Sequence, residues 1–337
     1  MKVYLDFPRE RPASPVDSVA TIGVFDGLHR GHAAILDAAV RAADGRPIVV
    51  VTFDPHPRAV LGPPKHHRLL SPVPERIELL GAWPLEAVAI LRFDRQIAAM
   101  DYRDFVRTAL VEALGARTLV LGYDTRLGHE RQGTTERITA LGEELGYDVV
   151  RVPAVEVEGE PASSTRVRRA LDAGDAERAA TVLGRPYRLR GTVVRGAGRG
   201  RSIRGIPTAN LDLPPEKLVP ADGIYAVRVH IGDRIWPGAL NIGLVPTFQS
   251  SGARSVEVHV LGFEGDLYGS RLDVDLVRRL REERRFAGPE ELVEQIRADL
   301  SAAAAVLGEP PSGLPGRRTG GSSAPSVPVR RAGDPPS

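Results

Sequence analysis

Thr21-Ile22-Gly23-Val24-Phe25-Asp26-Gly27-Leu28-His29-Arg30-Gly31-His32 is the stretch on which the fold turns. An apolar, β-rich run from Val19 to Phe25 leads into a turn punctuated by Gly23, Gly27 and Gly31, and a helical pattern from His32 to Ala43 follows at once. Glycine lets a backbone turn tightly and approach a ligand closely. His29 and His32 flank the start of the expected helix, where free N–H groups and the helix dipole favour an anion. Imidazoles placed there can donate to phosphate oxygens and stabilise charge that builds up during group transfer. Taken singly, the glycines are equally an ordinary strand-to-helix turn and the histidines ordinary surface groups. Two histidines without thiols or suitably spaced carboxylates make a poor zinc site.

Outward from this junction the first half repeats the same rhythm. Ile48 to Phe53, Ala87 to Phe93, Thr118 to Tyr123 and Asp148 to Val155 are near-continuous apolar runs, as strands buried on both faces should be. Helical patterns at Asp101 to Leu114, Thr135 to Leu145, Ser164 to Ala173 and Ala176 to Leu183 lie after and between them. The alternation predicts an α/β doubly wound, mostly parallel sheet over residues 1–184, with ligands at the carboxyl ends of its strands. Gly184-Arg185-Pro186 breaks the pattern, and the texture changes. Tyr187 to Val194, Gly223 to Ile231, Arg234 to Ile242, Arg254 to Phe263 and Arg271 to Leu276 follow one another without helices, which predicts a small β-barrel or sandwich. A helix from Pro289 to Leu307 closes this second domain, 185–308. Residues 309–337 are Gly, Pro, Ser and Arg with almost no bulky apolar side chain, a composition expected to remain disordered.

Composition narrows the chemistry. The 337 residues carry 45 basic and 43 acidic side chains, a net charge of +2, so no strongly basic surface for nucleic acid is expected. Nearly all the positive charge is arginine; Lys2, Lys65 and Lys217 are the only lysines, and none stands in a Walker A or protein-kinase setting. There is no cysteine, which excludes disulfides, thiolate metal sites and cysteine nucleophiles. The charged start lacks a signal-peptide core and no run reaches the roughly 18 apolar residues of a membrane span, so a cytoplasmic protein is expected.

The whole string at the first junction resembles the HxGH signature of nucleotidyltransferases, in the GxFDGxHxGH form of the bacterial bifunctional riboflavin kinase/FAD synthetase family. The resemblance implies that Gly23, Phe25, Asp26, Gly27 and Gly31 line ATP and that His29 and His32 contact its phosphates as catalytic groups. Thr52-Phe53-Asp54-Pro55-His56-Pro57 is similar to the family's TFDPHP and implies flavin contacts for Asp54 and His56. Ser163-Ser164-Thr165-Arg166-Val167-Arg168 resembles SSTRIR, which implies a phosphate cradle from Ser164, Thr165, Arg166 and Arg168. Hydroxyls and guanidinium groups at a helix start agree with that. Gly122-Tyr123-Asp124-Thr125-Arg126-Leu127-Gly128 stands where the family has a pattern close to GxDFRFG. This implies a flavin contact for Asp124, with Thr125 and Leu127 replacing aromatics.

The second domain resembles riboflavin kinase. Gly196 to Asn210, GAGRGRSIRGIPTAN, is similar to a GDGRGRxLGFPTAN signature, with Ala197 and Ile206 replacing Asp and Phe, and Arg204 as an insertion. The likeness implies that Gly198 and Gly200 clasp ATP. Thr208 and Asn210, on one side of an extended backbone, offer oxygens to Mg2+ and phosphate. Ser255-Val256-Glu257-Val258-His259-Val260 alternates, with valines on one face and Glu257 and His259 on the other; it is similar to VEVHLL, which implies that Glu257 is the catalytic base. Asn241-Ile242-Gly243, Pro246-Thr247-Phe248, Leu267-Tyr268-Gly269 and Arg281-x-Glu283-x-x-Phe286 extend the likeness, with Arg281 near the flavin. The implied reactions are phosphorylation of riboflavin to FMN and adenylylation of FMN to FAD, with ATP and flavin as substrates and Mg2+ as cofactor. The competing readings are a divergent paralogue on a modified flavin or with one active half, a transferase for another phosphate ester, and a non-catalytic flavin or nucleotide sensor. Oligomeric state is not legible in the sequence.

Overall fold

The computed structural model describes residues 1–11, 17–62, 67–195, 208–244, 254–284, 286 and 288–308. Gly198 and Gly200, the substitutions Ala197 and Ile206, the inserted Arg204, Pro246-Thr247-Phe248 and the 309–337 tail lie outside these residues.

Six strands make the first sheet: β1 (Lys2–Phe7), β2 (Ser18–Ile22), β3 (Ile48–Asp54), β4 (Ala87–Arg92), β5 (Ala116–Gly122) and β6 (Asp148–Val152). Their order is β1-β4-β3-β2-β5-β6, and every neighbouring pair is parallel. All five residues of β2 are buried, as the apolar run predicts for a central strand covered on both faces. Strand order reverses beside β2, between β3 on one side and β5 on the other. Crevices at such reversals open at the carboxyl ends of the strands, and β2 ends there at Ile22. Helices α1 (Arg30–Ala43), α2 (Val73–Leu80), α3 (Thr135–Leu145), α4 (Ser164–Asp172) and α5 (Ala176–Leu183) belong to this half. Their ends follow local chemistry. Thr134, Ser163 and Asp175 cap α3, α4 and α5 by accepting a backbone N–H from the first turn, and Gly146 and Gly184 end α3 and α5 in left-handed conformation.

The second half is a closed barrel, which decides between barrel and sandwich. Its strands are β7 (Tyr187–Val194), β8 (Ala209–Asp212), β9 (Gly223–Ile231), β10 (Arg234–Leu244), β11 (Arg254–Val260) and β12 (Arg271–Arg281), in the order β7-β8-β11-β10-β9-β12. Helix α6 (Pro289–Leu307) lies against β9 and β10, burying Leu300 and Ala303 beside Ala226 and Ala239.

β1, α2 and β8 are not among the expected elements, and one expected helix takes another form. β1 is an edge strand with Val3 and Leu5 exposed, so no apolar run marks it. β8 has four residues and only Leu211 buried, yet it pairs with both β7 and β11 and closes the barrel. The expected helix from Asp101 to Leu114 begins as an α-helix at Tyr102–Phe105 and continues as a π-helix over Val106–Glu112.

The halves share one core. Leu70, Val167, Leu171, Val182 and Leu183 of the first pack in the same apolar cluster as Leu189, Leu240 and Val258 of the second. A buried ion pair crosses the seam: Lys217 Nζ lies 2.5 Å from Glu75 on α2 and donates to the Leu70 carbonyl at 2.8 Å. Lys217 is 2% exposed. Replacing it with Met leaves the Glu75 carboxylate buried without its cation, a change that costs about 3–5 kcal/mol. Denaturant unfolding of Lys217→Met should show that loss, and a change below about 1 kcal/mol would put the pair in an exposed setting instead.

Candidate functional site

At the carboxyl end of β2 the chain makes an unusual turn. Phe25, Gly27 and Leu28 all have positive φ, of 51°, 79° and 44°. Side chains rarely adopt that region, and Phe25 and Leu28 hold it at a cost of order 1 kcal/mol or more each, sustained by their surroundings. A Cβ at Gly27 would stand 2.7 Å from Leu70 Cδ1, so glycine is required twice over, by space and by φ. The surroundings are a set of hydrogen bonds from distant segments. Ser71 Oγ accepts from Gly27 N–H at 2.8 Å, and Ser164 Oγ donates to the Asp26 carbonyl at 2.8 Å. The Arg185 guanidinium donates to the Gly27 carbonyl at 2.8 Å and the Leu28 carbonyl at 3.0 Å.

The turn delivers His29 to the N-cap of α1, where its Nδ1 faces the His32 N–H at 3.4 Å. In the neutral ring this leaves the proton on Nε2. The two rings stack at 3.7 Å between centroids, and Phe25 lies 5.1 Å from His32. Burial pushes His29 down to about 4, with Asp26 opposing and Arg185 adding to the effect. His32 lies well below its ordinary value, first through burial and then through His29, Arg76 and Arg185. His32 Nδ1 is buried without a hydrogen-bond partner, an orphan that a ligand atom would satisfy. Both rings are therefore neutral at pH 7 in the free protein and offer N–H donors in place of charge.

Behind them sits a residue the sequence analysis missed. Arg76 is 1% exposed, and its guanidinium donates to Thr52 Oγ1 and the Phe53 carbonyl, both at 2.9 Å, and to the Ser71 carbonyl at 3.4 Å. Burial lowers its pKa while Asp26 and Asp54 oppose. The sequence analysis expects no helix over α2, and an arginine there is indistinguishable from a solvated one.

The structure divides the remaining motif residues into those facing the crevice and those anchoring it. Gly23 continues the β2–β3 pairing through its N–H to Val51, and a Cβ on Gly31 would meet the His29 ring at 3.1 Å. The Asp26 carboxylate is 1% exposed; it accepts from the backbone N–H of Leu70 at 3.2 Å and of Ser71 at 2.9 Å, and it pairs with Arg168. Arg166 turns away into the Glu156–Pro161 hairpin, donating to the carbonyls of Val157 and Glu160 at 2.9 and 2.7 Å and pairing with Glu158 and Glu160. Thr165, by contrast, is exposed at the first turn of α4. Asp54 ends β3 and is exposed; Asp124 is exposed just after β5; His56 is buried, its Nδ1 capping a short helix through Arg58 N–H at 3.0 Å. Leu127 is 8% exposed and packs into the sheet core.

Asp26, His56 and His67 have donor atoms within 4.8 Å of one another. The guanidinium of Arg168 already serves that focus, pairing with Asp26 and standing 3.2 Å from His67 Nε2. Two imidazoles also suit softer ions than Mg2+, so this cluster does not fit that cation. His56 is held down to about 3, by burial first and then by His67, with Asp26 opposing; burial and Arg168 lower His67 too.

These histidines predict an acid sensitivity. A histidine with a folded pKa below its unfolded value of about 6.5 keeps its full contribution above that pH and loses it as pH falls towards the folded value. Between pH 6.5 and 5 each such group steepens the loss by up to about 1.4 kcal/mol per pH unit, a range in which ordinary carboxylates bind few protons. Denaturation at pH 7, 6 and 5 should show this fall, and His29→Asn should show a shallower one. A flat profile would mean that these rings are hydrated.

The barrel carries the second group. Asn210 of β8 lies directly opposite Glu257 of β11, and Glu257 lies directly opposite Asn241 of β10. Paired residues share a face. Val256, Val258 and Val260 are buried inside, so Glu257 and its two amide neighbours lie on the outer face. Thr208, two residues before Asn210, is half-buried and lines a cavity of about 120 Å³ with Val258, Phe263 and Tyr268. Asn241 Oδ1 is buried without a partner. The oxygens of Asn210, Thr208 and Glu257 are hard donors of the kind Mg2+ takes. Arg281, at the end of β12, is occupied elsewhere: it forms a bidentate pair with Asp299 of α6 at 2.8 and 2.7 Å and donates to the Glu282 carbonyl at 2.8 Å.

Two family models match the chain in tandem, FAD synthetase over residues 11–166 and riboflavin kinase over residues 183–307. A Pseudomonas fluorescens protein named bifunctional riboflavin kinase/FMN adenylyltransferase is 40% identical over 290 residues, covering 86% of this chain and 92% of that one. The Escherichia coli (strain K12) protein of the same name is 37% identical over 285 residues, covering 83% and 90%. A crystal structure described as a macrolide-efflux protein from Streptococcus pneumoniae is 34% identical, covers 88% of this chain and 96% of its own, and superposes with a TM-score of 0.80. Among the described residues no helix is long and apolar enough to cross a membrane.

Proposed function

The chain belongs to the bifunctional riboflavin kinase/FMN adenylyltransferase family, and from that premise we infer that it phosphorylates riboflavin to FMN on the barrel and adenylylates FMN to FAD on the α/β domain. The observation that carries the reading is the row Asn210–Glu257–Asn241 on one barrel face, in a chain whose other half offers a separate anion site at the mouth of α1.

The two halves have chemistry suited to their steps. A ribityl hydroxyl is neutral and gains from a base as it attacks the γ-phosphate of ATP; the Glu257 carboxylate takes that proton. Thr208 and Asn210 would hold Mg2+ through their side-chain oxygens, and Gly198 and Gly200 would contribute to ATP binding. The cation neutralises phosphate charge when bound. Adenylyl transfer needs no base, because the FMN phosphate has a second pKa of about 6 and is mostly ionised at pH 7. His29 and His32 donate N–H groups to the ATP phosphates, the free N–H groups of α1 add to them, and Thr165 contributes a hydroxyl. Since both imidazoles are neutral in the free protein, Arg76 supplies fixed positive potential, and Arg168 contributes a guanidinium at the same crevice. Asp54, His56 and Asp124 flank the flavin. Arg166 and Arg281 also anchor the hairpin and α6.

Incubating the full chain with riboflavin, ATP and Mg2+, and separating the products by liquid chromatography, should yield FMN and then FAD with pyrophosphate. FMN without FAD would remove the adenylyl-transfer assignment. The absence of both would remove the catalytic reading.

A further inference from the structure

Arg185 opens the barrel half, directly after the Gly184 stop of α5, yet its guanidinium reaches back to the Gly27 and Leu28 carbonyls, 158 and 157 positions away in sequence. These carbonyls belong to the turn with three positive φ values between β2 and α1. Phe25 and Leu28 hold positive φ against their local preference, so contacts from outside the turn help to determine it. Others include Ser71 on the Gly27 N–H, Ser164 on the Asp26 carbonyl, and Leu70, Ser71 and Arg168 on the Asp26 carboxylate. Ser71 in turn belongs to a segment tied to the barrel: Leu69 N–H donates to the Glu216 carbonyl at 2.6 Å, Leu218 N–H to the Leu69 carbonyl at 2.8 Å, and Lys217 Nζ to the Leu70 carbonyl. A cavity of about 140 Å³, lined by Gly27, Ser71, Glu75, Arg185 and Lys217, lies on this seam.

We propose that Arg185 is a positioning residue of the adenylyl-transfer site, through which the barrel holds the phosphate-binding turn in its working shape. A trans peptide points its C=O and N–H in opposite directions. With the Leu28 carbonyl fixed on Arg185, the His29 N–H of the same peptide points away from that guanidinium, at the N-terminus of α1 where an anion is favoured. The same bond sets the direction in which His29 enters its cap. The α/β domain therefore contains the transferase groups but not all that shapes them. This inference rests on the functional reading above for its activity readout and stands apart from it for its structural one.

The test uses the full chain with Arg185→Met, which keeps length and removes both donors, and Arg185→Lys, which keeps one. Hydrogen–deuterium exchange of a peptide covering residues 22–33 should rise in the Met variant, with barrel peptides unchanged. FAD formation from FMN and ATP should fall on the order of 10²-fold, the scale of a misplacement of about 1 Å at a reacting group. Riboflavin phosphorylation in the same sample should hold, and Lys should restore most of the loss. Unchanged exchange in 22–33 overturns the proposal. So does a fall of both activities by one factor together with a lower Tm, which would make Arg185 a general stabiliser. If the unaltered chain makes no FAD, the functional reading fails, and the exchange result alone decides whether Arg185 holds the turn.

Discussion

Glu257→Gln should lower conversion of riboflavin to FMN by about 10³–10⁴-fold and leave adenylylation of supplied FMN unchanged. The amide keeps the size of the carboxylate and its place in the row with Asn210 and Asn241, so the barrel has no reason to open. What is lost is the proton acceptor. Removing a general base costs typically 10²–10⁴-fold, and the neutral amide also weakens the hold on a divalent cation beside Thr208 and Asn210, so the upper part of that range is expected. The measurement is initial rates of FMN formation from riboflavin and of FAD formation from FMN, on one preparation. If the two rates fall in parallel, Glu257 supports the fold and does not act on the hydroxyl.

The complementary change is His32→Ala. It removes the donor next to His29 at the mouth of α1 and should reduce FAD formation by about 10²–10³-fold, the range for losing one preorganised donor to developing charge. Riboflavin phosphorylation should persist. His29 keeps its N-cap but loses the ring it stacks on at 3.7 Å, so part of the effect comes through His29 itself. The variant has a second signature. With one neutral buried imidazole fewer, its stability between pH 6.5 and 5 should decline less steeply. Retained FAD synthesis would move the transferase site away from this helix.

Much of this was legible because burial on both faces of a parallel strand leaves an apolar run, and burial on one face of a barrel strand leaves an alternation. Val256, Val258 and Val260 put Glu257 on the opposite face of β11 in that manner, while the role of base came from the family likeness alone. The turn at Gly27 was legible for a similar reason: only glycine meets both its φ and its space. What the sequence hid were partnerships across distance. Arg166 and Arg168 stand in one motif, and nothing in their spacing separates the one buried under Glu158 and Glu160 from the one that meets Asp26. Arg281 lay near the expected flavin by likeness alone, while Asp299, 18 residues on, claims it in the structure. Arg76 and Lys217 resemble surface cations, since a residue's neighbours in space are not its neighbours in the chain. β1 was missed because an edge strand buries little.

The order of side chains along β11 has a consequence for reliability of assembly. Were that strand to slide by one place against β8 and β10, Glu257 and His259 would enter the barrel and three valines would meet water. The misaligned state would be penalised by both transfers at once. Oil-like packing on the hidden side thus acts as the proofreader for where Glu257 stands on the visible one, and no contact with substrate is needed for it to do so.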